Sequence, residues 1–258
     1  MNHLPPLSPH TVRLYFCRHG QTVANDKHLI QGGGINSPLT DLGHTQAISL
    51  AQAFHRHAIP LEGVVSSTLL RAKDTAHKLS SFGDVQEFAQ LKEMEYGDLE
   101  GLEITDVKTA AKMRALWQEW KLDIRIKCPG KAGESMANLI ARGVQIVWDI
   151  ALQNRQTPHV AVVSHSMLLR AVLATFETQQ QQGTATCTSL NVMEAMDRVQ
   201  LANSSITVVD FCVGGTNMRL PPTVLLLNCT DHVPGNATGG YAPLTIGMNK
   251  TALLEARL

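Results

Sequence analysis

Two stretches of this chain place histidine where an apolar run must end. Residues 11–17 are rich in β-formers and stop at Arg18-His19-Gly20-Gln21-Thr22; residues 159–163 stop at Ser164-His165-Ser166, and 167–173 then read as an apolar helix. A third unit repeats the arrangement: 63–67 reads as a strand and 68–76 as the helix after it, with Arg71 in its first turn. Arginine offers planar, permanently charged donors that match phosphate oxygens, and a helix N-terminus adds backbone N–H groups and a favourable dipole. Histidines that merely close core strands would be an ordinary structural outcome. Arg18, His19, Arg71 and His165 brought to one edge would instead form an anion site suited to a phosphoryl group.

The elements that must position these side chains follow from the same runs. Continuous apolar stretches of this length suit strands covered on both faces, as in parallel sheets, and ligands of open α/β sheets bind at the carboxyl ends of the strands. The expected fold class is therefore α/β. Thr40 reads as the N-cap of a helix to about His57, with Ala47, Ala51 and Phe54 at core-facing spacing. An amphipathic run around 110–120, a long helix over about 134–153 and a last strand at 223–228 near a sheet edge are also expected. The polar run Gln179 to Gln182 reads as a solvated connector.

The segment Arg18-His19-Gly20-Gln21-Thr22-Val23-Ala24-Asn25 resembles the signature of the histidine phosphatase superfamily, which holds cofactor-dependent phosphoglycerate mutases and related phosphatases. It is joined, in that family's order, by Ser37-Pro38-Leu39-Thr40-Asp41-Leu42-Gly43, Ser66-Ser67-Thr68-Leu69-Leu70-Arg71-Ala72, the stretch 93–101, Gly133-Glu134-Ser135, Val162-Val163-Ser164-His165 and Asn203-Ser204-Ser205-Ile206-Thr207. The likeness runs from about residue 12 to about 210. It implies a three-layer sandwich, a mostly parallel central sheet flanked by helices.

The resemblance also assigns roles. His19 matches the family's nucleophile, which forms a phosphohistidine and so splits one displacement into two. Arg18, Arg71 and His165 would hold the equatorial oxygens, where transition-state charge spreads. Asn25 would add a side-chain donor, and Gln31 and Gly32 would add contacts where the family binds phosphate. Glu93 matches the family's acid/base; Glu95 and Glu100 on the same segment stay open as alternatives. Two departures stand out. Ser166 takes the position of a common glycine and would narrow or polarise the pocket wall. Gly33-Gly34 replaces a bulkier residue and would widen the entrance. The turn Gly32-Gly33-Gly34 reads equally as a phosphate nest or a plain flexible turn.

Other chemistries fit less well. No Cys and Arg stand five residues apart, as a cysteine phosphatase loop requires, and His55 and His57 point to different helix faces. Neither a metal nor a cofactor is expected. Lysines and arginines number 22 against 22 acidic residues, so no basic field advertises nucleic acid or an anionic membrane. No apolar stretch approaches the ~18 residues of a membrane span. The five cysteines are odd in number and contain no CxxC pair, which suits reduced thiols in an intracellular protein. With no signal-peptide pattern at the N-terminus, four glycosylation-like sequons read as chance and a cytoplasmic location is expected. Ala256-Arg257-Leu258 is a degenerate form of a peroxisomal address, which makes a peroxisome-like organelle the alternative. The sequence does not fix an oligomeric state.

In domain terms the chain reads as a Pro-rich, unstructured lead-in over 1–10, one catalytic domain over 11–232 with a lid-like insertion at about 102–133, and an irregular tail over 233–258. The expected activity is hydrolysis of a small phosphorylated metabolite. A cofactor-dependent mutase is the near alternative, disfavoured because the mutases carry a much longer insertion before their Glu-Ser element. A non-catalytic scaffold is disfavoured because Arg18, His19, Arg71, Glu93 and His165 are all present.

Overall fold

The apolar runs become strands with alternating faces. The computed structural model describes residues 1, 4–182, 188–214 and 220–234. Its strands are β1 (Thr11–Arg18), β2 (Gly63–Ser67), β3 (Val85–Phe88), β4 (His159–Ser164), β5 (Ile206–Cys212) and β6 (Thr223–Cys229). They form one sheet in the order β3-β2-β4-β1-β5-β6. β3, β2, β4 and β1 run parallel, and β5 is antiparallel to both β1 and β6. Successive strand side chains point to opposite faces. Val12, Leu14, Phe16, Val160 and Val162 accordingly join one buried cluster, and Tyr15, Cys17, Ala161 and Val163 the other.

Helices cover both faces. On one side lie α2 (Asp41–Arg56) and α3 (Leu70–Ala76); on the other lie α4 (Val107–Leu122), α5 (Met136–Gln153), α6 (Ser166–Gln182) and α7 (Ser189–Arg198), while the short α1 (Val23–Asp26) follows the loop after His19. Thr40 caps α2, its hydroxyl accepting from the Gly43 N–H at 3.0 Å, and Ala47, Ala51 and Phe54 are buried. Ser135 caps α5 in the same way through the Asn138 N–H at 3.2 Å. Each such cap is worth about 1 kcal/mol, because it satisfies an N–H that the helix itself leaves open. A Cβ on Gly43 would lie 2.0 Å from the Gln21 carbonyl oxygen. Glycine there lets the start of α2 seat directly against the loop after His19.

Several elements differ from expectation. Gln179 to Gln182 are the last turn of α6 rather than a connector, and the helix stays buried as far as Phe176 and Thr178. α7 was not anticipated; its buried face of Val192, Met193, Ala195 and Met196 is short and interleaved with polar residues. The lead-in has no regular structure, yet it is tied down: Met1 and Leu4 pack on the core, and Arg13 Nη1 donates to the Pro5 carbonyl at 3.0 Å. In the 102–133 insertion, α4 docks on α7. Trp117 Nε1 and Lys121 Nζ both reach Asp197, each at 2.8 Å, and the Arg170 guanidinium lies 5.4 Å from the Trp117 ring centre. The tail from 235, including Ala256-Arg257-Leu258, lies outside the described residues.

Candidate active site

β1 and β4 are paired in register to their last residues, Arg18 opposite Ser164. His19 and His165 therefore leave the sheet side by side, with ring centres 5.2 Å apart. The His19 N–H donates to the Ser164 carbonyl at 3.0 Å, and the Asn203 amide donates to the His19 carbonyl at 2.9 Å. The ring is 3% exposed. Its Nδ1 lies 2.7 Å from the Gly20 carbonyl oxygen. A carbonyl can only accept, so Nδ1 carries the proton and Nε2 keeps its lone pair. Burial, then the charges of Arg71 and Arg18, hold the imidazole well below its ordinary 6.5, so it is neutral.

Arg71, buried in the first turn of α3, organises the opposite wall. Its Nη2 donates to the Gly32 carbonyl and its Nη1 to the Ile35 carbonyl, both at 2.8 Å, and its Nε donates to His165 Nδ1 at 3.2 Å. Because that nitrogen accepts, His165 carries its proton on Nε2, which donates to Ser67 Oγ at 2.8 Å. Both His165 nitrogens are thus engaged by protein, and a phosphoryl oxygen must share the Nε2 proton with Ser67. Burial, Arg71 and the neighbouring His19 also hold this ring well below 6.5. Arg18 is buried beside them, with Nη1 donating to the Leu201 carbonyl at 2.7 Å.

The remaining predicted residues fall around this centre. Asn25 is buried; its Oδ1 accepts from the Thr22 N–H at 3.2 Å and from Asn203 at 3.4 Å, so its amide nitrogen is what it has to offer a ligand. Gln31 is 7% exposed, and its Oε1 is buried with no hydrogen-bond partner among the described residues. Gly32 adopts φ +58°, a conformation that favours glycine. Ser166 begins α6 and is half-buried. The Gly33-Gly34 departure does not widen an entrance. A Cβ at Gly33 would lie 2.8 Å from Glu95 Cγ, and one at Gly34 would lie 2.4 Å from Glu100 Oε2. The two glycines let the turn close down on the acidic segment.

Three carboxylates on that segment have different surroundings. Glu93 is 8% exposed. Its Oε1 accepts from the Met94 and Leu168 N–H groups at 2.9 and 3.1 Å, and its Oε2 accepts from the Met167 N–H at 3.0 Å. It therefore sits on the N-terminus of α6, directly after His165. Glu100 accepts from the Gly34 N–H at 3.1 Å and the Tyr96 N–H at 3.0 Å, and burial raises its carboxyl above the ordinary range. It holds the glycine turn. Glu95 is half-buried and lies 3.4 Å from Lys92 Nζ.

Four positions gain a place that residue types alone did not suggest. Ser67 partners His165, Asn203 ties His19 to Asn25, Thr75 accepts the Gly20 N–H at 3.0 Å, and Gln46 accepts the Gln21 N–H at 2.8 Å. Among the described residues no group of three or more His, Cys, Asp or Glu could hold a metal ion, and no helix is long and apolar enough to cross a membrane.

Comparison with known proteins agrees with this geometry. The chain is 32% identical over 193 residues to a metal-independent phosphoserine phosphatase of Arabidopsis thaliana, covering 72% of this chain and 78% of that one. It is 31% identical over 180 residues to a 2,3-bisphosphoglycerate-dependent phosphoglycerate mutase of Bartonella tribocorum, covering 64% and 81%. The solved structure of mycobacterial glucosyl-3-phosphoglycerate phosphatase superposes with a TM-score of 0.66 at 26% identity, covering 84% of this chain and 99% of that one. Residues 14–221 match the histidine phosphatase superfamily (branch 1) as a whole, and this chain belongs to that family.

Proposed function

We propose that this enzyme is a phosphomonoester hydrolase that works through a phosphohistidine at His19. The observation that carries the reading is a buried, neutral His19 whose Nδ1 proton is fixed on the Gly20 carbonyl, set among Arg18 and Arg71. His19 Nε2 attacks phosphorus and the P–O ester bond breaks. The leaving alkoxide takes a proton from Glu93. Of the two Glu93 oxygens, Oε2 accepts one N–H and Oε1 accepts two, so Oε2 has the lone pair on which that proton is carried. Water then attacks the phosphohistidine and the P–N bond breaks. Glu93 takes the proton from water, and inorganic phosphate leaves. Arg18 and Arg71 supply the fixed charge for both displacements.

The substrate we propose is a small phosphorylated metabolite, with phosphoserine and phosphoglycerate derivatives first to try, since relatives are named for them. A mutase would use the same centre and return the phosphoryl group to an organic acceptor. The short 102–133 segment, with α4 docked on α7, favours hydrolysis. The odd, widely spaced cysteines suit a reducing compartment, for which we propose the cytoplasm or a peroxisome-like organelle. The test is a screen of phosphoserine, sugar phosphates, nucleotides and phosphoglycerates for phosphate release, with bisphosphoglycerate-dependent isomerisation assayed in parallel. Phosphate release exceeding isomerisation on every substrate is expected. Isomerisation as the faster reaction on a phosphoglycerate would overturn the hydrolase reading.

A further inference from the structure

We infer that Arg142 and Glu134 are a positioning pair for the Glu93 carboxylate. The inference rests on the reading of Glu93 as the proton donor and acceptor. Glu93 stands on an irregular segment between two short 3-10 turns, Ala89–Leu91 and Gly97–Leu99. Among the described residues no strand pairs with it, so its carbonyls must find other donors. Arg142, on α5, supplies several of them. Its Nη1 donates to the carbonyls of Gln90 at 2.8 Å and Lys92 at 2.7 Å, and its Nη2 donates to the Glu93 carbonyl at 3.1 Å. Its Nε and Nη2 also grip the Glu134 carboxylate at 2.7 and 2.9 Å. Those five bonds use all five N–H donors of a guanidinium. Glu134 extends the grip by accepting the Glu95 N–H at 3.3 Å.

Arg142 does not reach the Leu91, Met94 and Glu95 carbonyls; the Glu134 N–H donates to that of Glu95 at 2.8 Å, and the other two are held from the site itself. Ser164 Oγ donates to Leu91 at 2.8 Å and the Gly33 N–H donates to Met94 at 2.8 Å. The acid is thus fixed by hydrogen bonds, and on one side by little else. An open cavity of about 370 Å³ lies along Lys92, Glu93, Glu134 and Arg142, where packing would otherwise brace the segment. A planar fork anchored at one end by a carboxylate can serve three carbonyls at fixed spacing; a lysine ammonium is a single point with three donors. Arg142 touches neither the phosphoryl group nor the leaving oxygen in this account. It acts through Glu93.

The test compares the pre-steady-state phosphorylation of His19 by an alkyl phosphate and by p-nitrophenyl phosphate in the wild type, Glu93→Gln, Arg142→Lys and the double variant. Glu134→Gln is the gentler second perturbation, and thermal unfolding reports on the fold of each. Glu93→Gln is expected to slow the alkyl ester far more than the aryl ester, whose leaving group needs no proton. Arg142→Lys and Glu134→Gln are expected to show the same selectivity, about 10-fold or more for the alkyl ester, in line with the cost of small misplacements. Adding Arg142→Lys to Glu93→Gln should then cost less than about 2-fold, since no acid is left to misplace. If Glu93→Gln slows both esters equally, the assignment of Glu93 fails and the inference with it. If Glu93→Gln is selective but Arg142→Lys slows both esters equally or adds in full to Glu93→Gln, Glu93 stands and the positioning role is overturned.

Discussion

At His19 and His165 the hydrogen-bond partners, more than the residue types, decide what each ring can do. The Gly20 carbonyl leaves the His19 Nε2 lone pair open for the attack we propose, whereas Arg71 and Ser67 use both nitrogens of His165. Removing Ser67 Oγ therefore leaves Arg71 to orient the His165 ring without its second partner. Ser67→Ala should lower kcat/KM about 10–100-fold, the cost of a slightly misplaced group, with KM for the phosphate group rising less than kcat falls. Steady-state kinetics beside Ser66→Ala checks it; near-normal kcat/KM in Ser67→Ala would show that His165 is held by Arg71 alone. The electrostatics give a second expectation. His19 is held well below 6.5 by burial and two arginines, so the rate of His19 phosphorylation should show no titration centred near 6.5. A loss of phosphorylation with an apparent pKa close to 6.5 that persists in a variant keeping His19 and altering only Glu93 would contradict the neutral buried nucleophile.

Among the elements, the glycine turn shows how the site is assembled from pieces that sequence pattern alone separates. Gly33 packs on the acidic segment, and a Cβ there would lie 2.8 Å from Glu95 Cγ and 2.9 Å from the Glu93 carbonyl oxygen. Gly33→Ala should cost about 1–3 kcal/mol by overpacking and should displace Glu93. Urea denaturation and the alkyl-to-aryl rate ratio read the two effects; an unchanged midpoint with an unchanged ratio would mean the turn gives way freely. The parallel strands were legible because a run such as Val160, Ala161, Val162, Val163 is apolar on both faces, and His19, His165 and Arg71 were legible because each closes such a unit. α7 was hidden because its sequence alternates buried Val192 and Met193 with polar neighbours, and the close of α6 because four glutamines resemble a loop. Ser67, Asn203 and Arg142 were illegible as site residues for a different reason. Their roles come from contacts across about 50 to 180 positions of chain, to His165, to His19 and to the Gln90–Glu93 carbonyls, and local spacing carries no trace of them.

Over the whole molecule, the fixed positive charge of the proposed site comes from Arg18 and Arg71, buried beside the two histidines, so the reaction we propose should need no metal. Activity should survive prolonged dialysis against a chelator, and vanadate should inhibit as a mimic of five-coordinate phosphorus. Loss of activity restored by a divalent ion would require a different site. The same depressed histidines link stability to pH. The folded protein resists protonating His19 and His165 while the unfolded chain takes up protons near 6.5. Stability is therefore full above that value and falls as pH drops through it towards the lower folded values. Urea midpoints between pH 7.5 and 5 should fall in that direction, and His165→Asn should flatten the slope; an unchanged slope would place the linkage elsewhere. The central claim is a covalent phosphohistidine at His19, and rapid quenching after brief exposure to labelled substrate tests it most directly. Acid-labile, base-stable label is expected on His19 alone, absent in a folded His19→Ala. Label on a serine or cysteine, or turnover retained in His19→Ala, would contradict it.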